Sequence, residues 1–238
     1  MQSIKDAELL LNKLGLHGMQ LGLSRVKLES DNTGFYTQLV NLLQKEMEYK
    51  KSRSLNYRLK LAKLPQVKLL TDTKAANLVA TIDVTEAINN KENLFFIGGS
   101  GSAKTHLAIG LGYNALELGK KIKFYTLANL ARDLLLAQQY NNEWRLMLRL
   151  QRFDILIIDE LGYVPIDKKA GILLFELFAK LYEQTSLFIT THLKFDEWND
   201  MFGDIKATKA IIDRLTHHCH VIETGNISYR MKGGNEAN

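Results

Sequence analysis

The stretch from Asn93 to Leu118 constrains this chain more than any other. An apolar strand, Asn93 to Ile97, runs into Gly98-Gly99-Ser100-Gly101-Ser102-Ala103-Lys104-Thr105, and a helical run from Lys104 to Leu118 follows and ends before Gly119. Strand, glycine-rich turn, Lys-Thr and helix in that order are the setting in which a chain wraps phosphates. A phosphate needs many donors converging on one point, and glycines at 98, 99 and 101 let successive backbone N–H groups face it without side chains in the way. The helix adds the positive end of its dipole. In such a P-loop, Lys104 reaches the β- and γ-phosphates of ATP and the Thr105 hydroxyl ligates Mg²⁺. One position departs from the pattern, since Ala103 stands where glycine should precede the lysine. A methyl group there is expected to weaken nucleotide binding without changing the fold.

A second segment supplies the matching charge. Asp154-Ile155-Leu156-Ile157-Ile158-Asp159-Glu160 is an apolar strand that delivers two adjacent acids at its C-terminal end, the edge at which open α/β sheets do their chemistry. Asp159 is expected to hold Mg²⁺ through its water shell, and Glu160 to polarise an attacking water. The pair favours water as the nucleophile. That choice, with no cluster of lid-like arginines between the later elements, argues against a small-molecule kinase.

Around these motifs, strands alternate with helices from Pro65 onward. The expected strands are Asn93–Ile97, Lys121–Thr126, Asp154–Ile158 and Leu187–Thr191, and the expected helices are Lys104–Leu118, Leu127–Gln139, Asn141–Arg152 and Lys169–Tyr182. Continuous apolar strands in this alternation imply a parallel sheet covered on both faces. The fold class is therefore α/β, a P-loop NTPase core with its sheet sandwiched by helices. Ahead of it, apolar residues recur at helical spacing from Ile4 to Leu64, for example Leu39, Leu42, Leu43 and Met47, broken by Gly18 and by Asp31-Asn32-Thr33-Gly34. These predict two short helices and a long one from about Phe35, stopped by Pro65. The expected organisation is a small all-helical domain over 1–70 and a nucleotide-binding domain over 71–238, with a linker from Pro65 to Glu92 and a disordered end from Gly233 to Asn238.

Charge separates the two parts. Residues 1–70 hold 12 Lys and Arg against 6 Asp and Glu, whereas the remainder hold 19 against 20. Lys45 to Lys63 is especially basic, with Tyr49 and Tyr57 interleaved. This asymmetry points to a polyanion partner, double-stranded DNA or RNA, for the helical part. A single cysteine, Cys219, excludes an intramolecular disulfide and with it a stapled secreted scaffold. No run approaches the roughly 18 apolar residues that span a bilayer, so no membrane partner is expected and a cytoplasmic location is the default. His217-His218-Cys219-His220 looks like a metal cluster by composition, but neighbours on an extended segment point to opposite faces and do not converge on one ion.

Several segments together resemble the IstB family, the ATP-binding helpers of insertion-sequence transposition, and more distantly the helicase loader DnaC. They are Lys104-Thr105-His106-Leu107-Ala108, Ile158-Asp159-Glu160-Leu161-Gly162-Tyr163, Phe175-Glu176-Leu177, Phe195-Asp196-Glu197-Trp198, Phe202-Gly203-Asp204, Asp213-Arg214-Leu215-Thr216-His217-His218 and Ser228-Tyr229-Arg230. The resemblance implies an AAA+ core that self-associates and completes its sites between subunits. It implies that His106 belongs with the nucleotide-binding residues, that Arg214 is an arginine finger acting on a neighbour's ATP, and that Arg230 is a second sensor. His192 occupies the first-sensor position, where the family carries Asn, and the 65–92 linker lacks the family's aromatic-acidic stretch. The activity implied is that of an ATPase that assembles on duplex DNA and recruits a transposase. The alternatives are a loader whose client is a replicative helicase, and a DNA-binding scaffold whose ATP site has decayed.

Overall fold

The structure, a computed structural model, describes residues 4–16, 19–20, 33–163, 165–200 and 205–225. It divides into two compact units, Met1–Tyr57 and Arg58–Asn238.

In the first unit, helix α1 (Ile4–Lys13) and the greater part of helix α2 (Thr33–Ala62) bury Ala7, Leu11, Val40 and Leu43 against one another. Leu42, apolar and next in sequence to Leu43, is exposed instead. Lys45, Tyr49, Lys50, Lys51, Arg53 and Tyr57 are exposed on α2. Lys50 Nζ reaches the Leu14 carbonyl at 3.4 Å. The helix ends at Ala62, and Lys63 takes a left-handed φ of 53°, the conformation in which helices commonly close, while Pro65 keeps Leu64 out of the helical region. The second of the two expected short helices falls mainly outside the described residues.

The second unit is built on a five-stranded, wholly parallel sheet in the order β2-β3-β4-β1-β5. The strands are β1 (Asn93–Gly98), β2 (Ile122–Thr126), β3 (Ile155–Leu161), β4 (Ser186–Thr191) and β5 (Cys219–Gly225). Helices α4 (Lys104–Glu117), α5 (Leu127–Gln139), α6 (Glu143–Leu150), α7 (Lys168–Leu181) and α8 (Ile205–His217) connect them. Alternate residues of the central strands face opposite layers, as the two-residue period of a strand requires. Leu156 and Ile158 join Phe95, Leu187 and Ile189 in a core with apolar residues of α5, α6, α7 and α8. Ile157 faces the other way, toward Gly112 of α4, where a Cβ would come within 2.8 Å of the Ile157 side chain. The Phe195–Trp198 segment packs here too. Phe195 and Trp198 meet the Phe95 ring edge-on at 5.0 and 5.9 Å, and Trp198 is fully buried.

The stretch expected to be a linker is structured. It forms two 3₁₀ segments, Leu70–Asp72 and Lys74–Val79, and helix α3 (Val84–Asn89), and it buries Ala75, Val79, Val84, Ala87 and Ile88. Asp83 caps α3 by accepting from Thr85 N at 2.8 Å and Glu86 N at 3.1 Å. Helices of three to six residues are too short to show a helical period, which is why this region reads as a connector. Among the described residues no helix is long and apolar enough to cross a membrane. Disorder expected over Gly233–Asn238 lies outside the described residues.

Candidate functional site

The strand order decides where the chemistry sits. Because β4 lies between β1 and β3, the C-terminal ends of these three strands bring the glycine-rich loop, the acidic pair and the Thr190-Thr191 pair to one edge. A cavity of about 280 Å³ opens there. It is lined by Ser100, Gly101, Ser102, Ala103, Lys104, Thr105 and His106 from the loop and α4, by Glu160 and Tyr163, by Thr190, and by Lys68, Asp72 and Thr73 from the upstream segment.

The loop is held from behind by β5. Ser102 Oγ donates to Gly99 O at 2.8 Å and lies 2.6 Å from Thr224 Oγ1, while Gly99 N donates to Gly225 O at 3.0 Å. This leaves no room at Gly98, where a Cβ would stand 2.3 Å from Thr224 Oγ1 and 2.6 Å from the Gly225 carbonyl. Gly101 has a φ of 77°, and Ala103 a φ of 70°. The left-handed conformation is free for glycine and costs about 1–2 kcal/mol for a residue with a Cβ. The alanine before the lysine is thus accommodated in the backbone shape that glycine would take, with its strain kept in the loop.

Lys104 is 6% exposed, and its Nζ donates to Gly98 O at 2.8 Å and Gly99 O at 2.6 Å. The ammonium is therefore stored inside the loop that a phosphate would occupy. Thr105 Oγ1 donates to Asp159 Oδ1 at 2.8 Å, and Thr190 Oγ1 donates to the same oxygen. Thr190 Oγ1 also accepts from Glu160 N at 3.1 Å. Glu160 has a φ of 62° at the break in the β3–β4 register between Ile158 and Leu161. That bulge turns neighbouring acids to different environments: Asp159 is buried at 5% exposure and Glu160 is exposed at the cavity wall.

The expected site residues from Ser100 to His106, with Glu160, come together on this cavity, with Gly98 and Gly99 behind the loop and Asp159 bonded to Thr105. His106 points its Nε2 to the Leu69 carbonyl at 2.7 Å. The ring of His192 packs on Tyr163, 4.4 Å between centroids, beside the cavity. Arg214 is exposed in the last turn of α8 and does not line this cavity. Arg230 lies outside the described residues. Thr190, Thr224, Tyr163 and the Lys68–Thr73 wall were not anticipated from sequence. The Thr190-Thr191 pair ending an apolar strand was the available signal. Of the histidine-rich run, His217 and His218 meet edge-to-face with ring centroids 4.2 Å apart, and His220 Nε2 pairs with Glu92 Oε2 at 2.8 Å.

Hard oxygen donors at Thr105 and Asp159, beside a lysine and a loop of backbone N–H groups, fit a Mg²⁺-bound polyphosphate. Comparison with known proteins agrees on the nucleotide. The profile of the IstB-like ATP binding protein family matches residues 9–237. The chain is 32% identical over 241 residues to the insertion sequence IS21 putative ATP-binding protein of Pseudomonas aeruginosa, covering 91% of this chain and 90% of that one. It is 34% identical over 212 residues to the insertion sequence IS5376 putative ATP-binding protein of Geobacillus stearothermophilus, covering 84% and 83%. Among solved structures, AMPPCP-bound DnaA from Aquifex aeolicus has a TM-score of 0.54 at 18% identity, over 67% of this chain and 50% of that chain. DnaI has a TM-score of 0.56 at 13% identity, over 66% and 90%. These two share the AAA+ P-loop fold. On the extent of the sequence match, the chain belongs to the IstB-like ATP binding protein family.

Proposed function

We propose that this protein is an ATP-binding, ATP-hydrolysing AAA+ helper that assembles on double-stranded DNA and recruits a transposase in insertion-sequence transposition. The observation that carries the reading is the Thr105–Asp159 bond beside the stored Lys104, since it brings the two halves of a nucleotide clamp into contact.

In this account Lys104 exchanges the Gly98 and Gly99 carbonyls for phosphate oxygens, and the backbone N–H groups of Ser100, Gly101, Ala103, Lys104 and Thr105 neutralise the remaining charge. Thr105 and Asp159 would hold a Mg²⁺ ion, which would supply positive charge to stabilise the phosphate being transferred, and Thr190 keeps the Asp159 carboxylate turned toward Thr105. Glu160, exposed at the cavity wall next to the buried Asp159, takes a proton from the attacking water. Arg214 is available to a neighbouring subunit because it stands exposed on α8, and Arg230 is assigned as second sensor on sequence alone. The basic 1–70 region, with its exposed Lys and Tyr side chains on α2, is the surface for the DNA backbone, and 71–238 is the ATP-binding domain. A cytoplasmic location goes with this work.

The test is retention of the purified protein on duplex DNA with and without ATP. Assembly and retention should depend on ATP, fall steeply with salt, and be lost in Lys104→Ala. Identical assembly and retention in Lys104→Ala would remove the ATP switch. Pull-down against a transposase and a replicative helicase assigns the client.

A further inference from the structure

Residue His106 stands in the first turn of α4, directly after the Thr105 hydroxyl, yet its ring is turned to a different task. Its Nε2 lies 2.7 Å from the Leu69 carbonyl oxygen. A carbonyl only accepts, so Nε2 carries the hydrogen. The same carbonyl accepts from Asp72 N at 3.1 Å, and Leu69 N in turn lies 3.4 Å from Asp72 Oδ2. The ring is thereby tied to a small closed turn.

One helical turn further along α4, on the same face, Gly110 lies under the Leu70 side chain, whose Cδ2 would be 2.6 Å from a Cβ at 110. A polar contact at 106 and a close apolar contact at 110 thus fasten the Leu69–Asp72 turn to the phosphate-loop helix. That turn ends in Asp72, is followed by Thr73 and is preceded by Lys68, three cavity-lining residues from outside the loop and its helix, the acidic strand end, Tyr163 and Thr190.

We infer that His106 is a positioning residue: through the Leu69 carbonyl it holds Lys68, Asp72 and Thr73 as the wall that receives the nucleoside portion of the ligand. The inference rests on the nucleotide reading above. The loop, Lys104, Thr105 and Asp159 account for the phosphates and the metal, so the 68–73 wall, with Tyr163, is what remains for the ribose and base. His106 therefore acts on affinity for the nucleoside end and leaves the polyphosphate end to the loop.

The experiment compares wild type, His106→Ala and His106→Gln in two measurements. Calorimetric titration uses ATP and inorganic tripolyphosphate, each with Mg²⁺. Losing one hydrogen bond should weaken ATP binding about tenfold in His106→Ala. Tripolyphosphate binding should stay within about twofold of wild type, and His106→Gln, which keeps an N–H donor, should recover most of the ATP affinity. Hydrogen exchange without any ligand should be faster at the Asp72 and Thr73 amides in His106→Ala and near wild type in His106→Gln. Equal losses for ATP and tripolyphosphate, unchanged ATP affinity, or unchanged exchange at Asp72 and Thr73 would each overturn the inference. A wild-type protein that binds no ATP removes the nucleotide reading instead, and the exchange comparison then decides whether His106 holds the turn.

Discussion

Thr105 Oγ1 and Asp159 Oδ1 are 2.8 Å apart although 54 residues separate them. Thr105 lies at the start of the helix that follows β1 and Asp159 is on β3, strands that are not neighbours, and β4, which lies between them, places Thr190 on the same carboxylate oxygen. The buried Asp159 thus has one oxygen shared by two hydroxyls, and the second hydroxyl also anchors the Glu160 amide. A carboxylate this buried depends on such donors.

Thr190→Val keeps the shape of the side chain and removes both bonds. It should destabilise the protein by about 1–3 kcal/mol, the cost of leaving buried polar groups unpaired, and Thr190→Ser should restore most of it. Urea unfolding of the three proteins checks this, and a valine variant as stable as wild type would contradict the role assigned to Thr190.

Ala103 holds a left-handed backbone with a φ of 70°. Replacing it by glycine removes the Cβ from that conformation and adds some unfolded-state freedom, for a net gain of roughly 1 kcal/mol. Ala103→Gly should therefore raise the unfolding midpoint and tighten ATP binding. A lower midpoint would show that the loop prefers the methyl group.

At Gly98 the opposite change is severe. A methyl group would meet Thr224 Oγ1 and the Gly225 carbonyl inside 3 Å, and the carbonyl belongs to backbone that holds Gly99. Gly98→Ala should cost about 1–3 kcal/mol by overpacking and should loosen the Gly99 N–Gly225 O bond, seen as faster amide exchange at Gly99. Exchange at Gly99 as slow as in wild type would refute the proposed packing.

The parts of this site that could be read in advance are those carried by contiguous residues. Gly98 to Thr105 and Asp159-Glu160 are patterns whose meaning depends on neighbours along the chain, and the strands on which they sit are continuous apolar runs. Thr190 is different: a threonine closing an apolar strand has no distinguishing context until the β3-β4-β1 order puts it against Asp159. The Leu69–Asp72 turn was hidden for a related reason, because its residues make sense only against His106 and Gly110. The left-handed backbone at Ala103 explains why glycine is the expected residue there, a point that residue identity alone had reduced to the size of a methyl group.

Far from the cavity, His220 Nε2 lies 2.8 Å from Glu92 Oε2. The bond from His220, with further help from Asn90 and the charges of His220 and His218, holds the Glu92 carboxyl below its ordinary value of 4.5 against the opposing effect of burial. A carboxylate with a depressed folded-state pKa adds stability above its unfolded value, and this is lost as pH falls through the folded value. Both side chains are partly exposed, so the contribution is below about 1 kcal/mol. Glu92→Gln should cost that much near neutral pH and nothing at pH values well below 4.5, as read by urea unfolding across pH. An equal cost at both ends would assign the effect to packing.

The central claim is that one Mg²⁺-bound triphosphate lies between the loop and the acidic strand end. Equilibrium titration of ATP into wild type, Lys104→Ala and Asp159→Asn, each with and without Mg²⁺, measures it directly. The account predicts Mg²⁺-enhanced binding in wild type, severe loss in Lys104→Ala, and loss of the Mg²⁺ enhancement alone in Asp159→Asn. Wild-type affinity in Lys104→Ala, or a full Mg²⁺ enhancement in Asp159→Asn, would contradict it.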